Sequence, residues 1–237
     1  MSIHTYTRRY ALFLTGVILS ATGIAFITRA GLGTSPVSGL PFVLSLITSI
    51  SMGTYTFLFN MTFLMLEAIL RRKFTIQQAL QIPVTFFFSF CIDTAMGFIP
   101  TRFGGPWGPS FVYLVIGCII MALGISFEVI ADVIMLPAEA FVRELSKKAG
   151  IPFGNAKVAF DSTLTILAMA VALIAFHKLN GVREGTLINA LCVGQLVRLW
   201  RSLLELPLKK LCTAEPDRKS TRLNSSHTDI SRMPSSA

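Results

Sequence analysis

The chain has 237 residues, of which 53% are hydrophobic and only 14% charged, with 19 Phe and a formal net charge of +9. An ordinary soluble domain is about a quarter charged, so this balance excludes one and points to a lipid bilayer as the solvent. The Lys and Arg cluster at the ends of apolar runs with no interleaved aromatic surface, which excludes nucleic acid as the partner of that charge.

Six apolar runs approach the length a helix needs to cross the hydrocarbon: residues 10–28, 54–70, 76–99, 111–127, 158–176 and, marginally, 186–200. The first follows Arg8 and Arg9 in the manner of a signal peptide. It is long, however, and Arg29 follows it without a small-residue cleavage site, so it reads as a mature span. Between the first two runs lies a shorter apolar stretch, residues 31–53, broken by Pro36 and Pro41.

That stretch is written twice. An ungapped comparison of residues 12–69 with 113–170 gives 15 identities in 58 positions, among them Gly16 with Gly117, Gly23 with Gly124, Pro36 with Pro137 and Gly53 with Gly154. The sequence therefore predicts an all-α polytopic membrane helix bundle of two pseudo-symmetric repeats. Each repeat holds three spans and one short broken or re-entrant helix. The predicted membrane domain covers residues 1–212, with repeat one at 8–100 and repeat two at 108–206. Residues 213–237 are polar and resemble a translated adapter or vector sequence, and are set aside. Without the four basic and three acidic residues of that tail, 17 basic and 9 acidic groups remain.

Whether the short segments cross decides between six spans with inverted repeats and eight spans with parallel ones. With Arg8 and Arg9 cytoplasmic, the six-span arrangement also places Arg71, Arg72, Lys73, Arg143, Lys147, Lys148, Arg201, Lys209 and Lys210 inside. Arg29, Arg102, Lys178 and Arg183 are then left outside. The eight-span arrangement exports the cluster at 71–73, so the positive-inside rule favours six. The five charges of residues 136–150 are a second reason, since they are costly at the bilayer centre.

The candidate binding residues lie in and around the two short segments. Thr34 or Ser35 before Pro36 has the order of an N-cap followed by Pro in the first turn, and Gly31 and Gly33 precede it. The amides there either cradle an anion or simply make a tight bend. The second copy carries Glu128, Asp132 and Glu139 where the first has Ile27, Gly31 and Ser38, which suits a cation or proton site or a solvated interface. Within the long runs, Asp93 and Asp161 have apolar neighbours and must pair, protonate or face water. Asp161 occupies the register of Asn60 and lies one turn from Lys157, so it serves a local ion pair or a midplane site with Asn60. Glu67, one turn from Arg71, reads as an interfacial partner. The expected solute site thus comprises Gly31, Gly33, Thr34, Ser35, Ser38, Asn60, Asp93, Asp132 and Asp161.

Cys91, Cys118, Cys192 and Cys212 show no metal-ligand spacing, and neither H-E-x-x-H nor G-x-S-x-G occurs. No metal, no cofactor and no enzymatic activity are expected.

The stretch GIAFITRAGLGTSPVSGLPFVLSLITSISMGTYTFLFNMTFLMLEAILRRKF carries a Pro-containing break, Ser38-Gly39, and Gly53 seven residues before Asn60. It resembles the bacterial YczE/YyaS/YitT group of integral membrane proteins. The resemblance implies a multi-pass protein of five or six spans in the bacterial cytoplasmic membrane, of a kind often labelled a permease; the cytoplasmic N-terminus is expected from the charge placement. The expected partners are the bilayer and a small solute coupled to protons or cations. Homo-oligomerisation is left open. The alternative is a non-transporting scaffold or regulator that docks through the basic loops and the segment around Pro137.

Overall fold

The computed structural model describes residues 3–100, 107–177 and 184–213, and all regular structure among them is helical. The helices are α1 (Ile3–Arg29), α2 (Pro36–Ile47), α3 (Met52–Arg71), α4 (Ile76–Phe98), α5 (Trp107–Ala131), α6 (Pro137–Ala149), α7 (Phe153–Phe176) and α8 (Glu184–Thr213). The order long, short, long, long therefore occurs twice. Arg102, Lys178, Arg183 and the tail beyond Thr213 lie outside the described residues.

Five helices, α1, α3, α4, α5 and α7, are long and apolar enough to cross a membrane. The sixth expected span lies within α8, whose charged residues from Arg198 onward keep it below that standard. Large apolar side chains such as Phe86, Phe90, Ile166 and Ile174 face outward, more than 60% exposed. That pattern suits helices solvated by lipid rather than water.

Contacts between the helix ends give the bundle two poles. At one, Arg9 donates from Nε to Ala131 O at 2.9 Å and from Nη2 to Asp132 O at 3.1 Å. There too, Arg71 Nη2 meets Glu144 Oε1 at 2.8 Å. At the other, the Arg29 guanidinium donates to Met96 O, and Gly185 N donates to Leu32 O at 2.8 Å. The first pole gathers Arg8, Arg9, Arg71–Lys73, Lys147 and Lys148 and is called the basic end below; the second is the far end. α1 and α4 run from the basic end to the far end, and α3 and α5 return.

α1 and α5 form the closest antiparallel pair, set by small residues. A Cβ on Gly124 would stand 2.6 Å from Gly16 O, and one on Gly117 would stand 2.9 Å from Gly23 O. Any larger side chain would push the backbones apart.

Each short helix dips into the bundle and packs on the third helix of the other half, α2 on α7 and α6 on α3. Ser35 caps α2, its hydroxyl accepting from Ser38 N at 3.4 Å, with Pro36 in the first turn, as the sequence predicts. Gly31 and its counterpart Asp132 both take a left-handed backbone, φ 71° and 46°. Asp, with Asn, tolerates that region better than other non-glycine residues, so Asp132 serves a turn here. The first turns of the two short helices reach one apolar cluster, in which Val37 and Ala138 join Phe59, Phe63, Phe141, Phe160 and Leu164. Aromatic rings fill the centre, with Phe63 stacked on Phe141 at 5.9 Å between centroids.

A polar seam between α3 and α4 as candidate functional site

α4 opens with a capping box, Thr75 paired reciprocally with Gln78, and continues as an apolar helix interrupted by polar residues at a regular interval. Gln78, Gln81, Thr85 and Ser89 recur every three or four residues, which places them on one face, and all four are buried. α3, packed against α4, contributes buried Thr56, Asn60 and Glu67 at the same kind of spacing.

Two contacts tie the faces together. Near the basic end, Gln78 and Gln81 both approach the Glu67 carboxyl. Near the far end, Gly53 N donates to Asp93 Oδ1 at 2.7 Å and Ser51 Oγ donates to Asp93 Oδ2 at 2.6 Å. Gly53 is required there, because a Cβ would collide with Ser89 O and the Asp93 carboxylate. The seam from Gln78 to Asp93 spans 15 residues, about 22 Å at the helical rise, most of the hydrocarbon thickness.

Its polar atoms are poorly satisfied. Gln81 Oε1, Thr85 Oγ1 and Ser89 Oγ are buried without a hydrogen-bond partner. Each such atom costs on the order of 1–3 kcal/mol, so a row of them is difficult to explain by stability alone. Glu67 itself is 1% exposed and held by Arg71 Nε at 3.1 Å. It is a buried member of the seam rather than the interfacial residue the sequence suggests.

A cavity lies at either end. The basic-end cavity, about 330 Å³, is lined by Glu67, Arg71, Gln81, Glu128, Asp132, Glu139 and Arg143 among others. The far-end cavity, about 400 Å³, is lined by Thr28, Arg29, Ser45, Ser51, Asp93 and Met96 among others. Glu128 accepts a hydrogen bond of 2.6 Å from Ser20 Oγ and so links the first cavity to the α1–α5 contact.

The residues singled out in the sequence do not converge on one point. Asn60 and Asp93 lie on the seam, although the Asn60 amide donates to Thr56 O at 2.9 Å within its own helix. Asp132 lines the basic-end cavity with its side chain 91% exposed, 3.9 Å from Arg9. Asp161 pairs with Lys157 Nζ at 2.9 Å, the local alternative of the two readings. Thr34, Ser35 and Ser38 satisfy one another and their neighbours: Thr34 Oγ1 lies 2.9 Å from Thr28 Oγ1, and Ser35 Oγ donates to Ser38 Oγ at 2.9 Å. The amide of Thr34 goes to Thr186 Oγ1 at 3.3 Å, and that of Ser38 to Ser35. With Gly31 and Gly33 turning at positive φ, the segment behaves as a bend whose polar groups are already used.

Gln78, Gln81, Thr85 and Ser89 are not among the residues singled out in the sequence; their only signal there is a three- or four-residue spacing in IQQALQIPVTFFFSF. Among the described residues no group of three or more His, Cys, Asp or Glu gathers as metal ligands do.

Comparison with curated proteins and with solved structures gives no match. The chain does match a family model over residues 7–202, which contain the seam and both cavities, and the protein belongs to that family, a family of unknown function designated DUF6198.

Proposed function

We propose that the protein is a small-solute permease of the bacterial cytoplasmic membrane, N-terminus inside, in which the α3–α4 seam is the solute path. The single observation that carries this reading is the row of unpartnered buried polar atoms running between two cavities at opposite ends of the bundle. In lipid, polar groups facing the bundle interior without partners mark substrate and ion pathways, because nothing else repays their desolvation. The reciprocal packing of α2 on α7 and α6 on α3 supports two inverted repeats that rock about the aromatic centre, opening one cavity as the other closes. The YczE/YyaS/YitT resemblance agrees with this reading.

Reconstitution in liposomes tests it. Solute flux should fall at least tenfold in Thr85→Val, which removes one seam hydroxyl without changing shape, while the melting temperature stays at the wild-type value. Wild-type flux in that variant would remove the seam from the mechanism. The scaffold alternative has less behind it, since α6 buries Val142, stacks Phe141 on Phe63 and ties Glu144 to Arg71.

A further inference from the structure

We propose that the basic-end cavity binds an organic cation carrying a primary ammonium group on a short alkyl body. The site stands on the cavity itself; only the identification of this cation as the transported solute rests on the permease reading.

Three observations converge. The cavity presents an unpartnered acceptor on a side chain more than nine-tenths buried, Gln81 Oε1, beside the buried Glu67 carboxyl. Its charges are unevenly matched. Asp132 faces Arg9, Glu67 faces Arg71, and Glu144, beside the cavity, takes both Arg71 and Lys147. Glu128 and Glu139 also line it, and among the described residues neither has a cation within ion-pair distance. Arg143, the remaining lining cation, is exposed and directs Nη1 to Met135 Sδ at 3.4 Å. Apart from Gln77, the rest of the wall is apolar, with Ile125, Val129, Val133, Ile134 and Leu136 as its aliphatic part.

The ligand chemistry follows by elimination. Carboxylates facing an acceptor-rich hollow repel anions, and a neutral solute leaves Glu139 uncompensated. A metal ion needs several ligands converging on one point, which the described residues do not offer. A quaternary ammonium has no N–H and is held by aromatic faces, and no aromatic side chain lines this cavity. A primary ammonium has three N–H donors for separate acceptors such as Glu67, Gln81 and Glu139, while its alkyl body meets the aliphatic wall. The volume of about 330 Å³ lies in the range of small-molecule sites.

Calorimetry on the full chain in lipid nanodiscs tests the assignment, with butylammonium as the probe and butanol, butyrate, tetramethylammonium and Na⁺ as comparators. Butylammonium should bind saturably and the comparators at least tenfold more weakly. Gln81→Leu and Glu139→Gln, which leave the Glu67–Arg71 pair intact, should each weaken binding about tenfold, equivalent to roughly 1.4 kcal/mol. Glu67→Gln should weaken it further, and Arg201→Gln, on the α8 surface, should bind as wild type. A comparator that binds as tightly overturns the assignment, as does wild-type affinity in both Gln81→Leu and Glu139→Gln. The two variants also decide the matter if Glu67→Gln does not fold. Saturable amine binding without butylammonium flux in liposomes would keep the site and sink the permease; flux of a solute without amine binding would do the reverse.

Discussion

The α1–α5 contact and the α3–α4 seam are both antiparallel pairs of long apolar helices, yet they are built on opposite principles. α1 and α5 meet through Gly16, Gly23, Gly117 and Gly124, so close that backbone touches backbone. α3 and α4 meet through Gln78, Gln81, Thr85, Ser89, Asn60 and Glu67, with polar atoms left over. Between lipid-solvated helices there is no hydrophobic gain from association, and close van der Waals packing has to supply the adhesion. The first pair is therefore the part that holds, and the second is the part that stability alone would not have kept.

Substitution should separate the two. The largest effect is expected in the tight pair: Gly124→Leu forces side-chain atoms into Ser20 and the Gly16 carbonyl and should cost about 3 kcal/mol or more, read as a lost or strongly lowered thermal transition in detergent. If Gly124→Leu melts like wild type, α1 and α5 are not the rigid pair. Next comes Glu67→Ala, which leaves Arg71 with only Glu144 and should cost about 3 kcal/mol. Asp93→Ala, at the far end, removes the acceptor of Ser51 and Gly53 and should cost about 2 kcal/mol.

Ser89→Ala should behave in the opposite sense. Its hydroxyl has no partner, so stability should change by less than about 0.5 kcal/mol, or rise, while flux falls. A destabilisation above 1 kcal/mol, an order-of-magnitude threshold for one lost hydrogen bond, would show that the seam hydroxyls are structural after all.

The smallest effect concerns pH. The hydrogen bond from Lys147, assisted by Arg71, holds the Glu144 carboxyl below its ordinary value of 4.5, against a smaller opposing effect of burial. A carboxyl depressed in the folded state contributes stability above its unfolded pKa and loses it as pH falls through the lower folded value. Melting temperature should therefore drop slightly as pH is taken below 4.5, and Glu144→Gln should show a shallower drop. An identical acid profile in wild type and variant would mean that α6 docks without this ion cluster.

Local chemistry made much of the fold legible. Runs of apolar residues define helices whatever surrounds them, because lipid forces every backbone group to be satisfied within its own segment. Ser35-Pro36 starts α2 for the same local reason. The sites were less legible. Asp93 and Asp161 look alike in sequence, each a carboxylate in an apolar run. In the fold one accepts from the first turn of α3, and the other is neutralised by Lys157 one turn away.

The sequence by itself determined that this is a membrane helix bundle, where its helices lie, and that the pattern long, short, long, long is written twice with the same glycines. Only the tertiary structure decided that the centre between the short helices is aromatic, that Glu67 is buried, and that four uncharged polar residues of α4 face α3. The physical reason is that helix formation depends on neighbours within a turn or two, whereas the satisfaction of a buried polar atom depends on which helix is packed beside it.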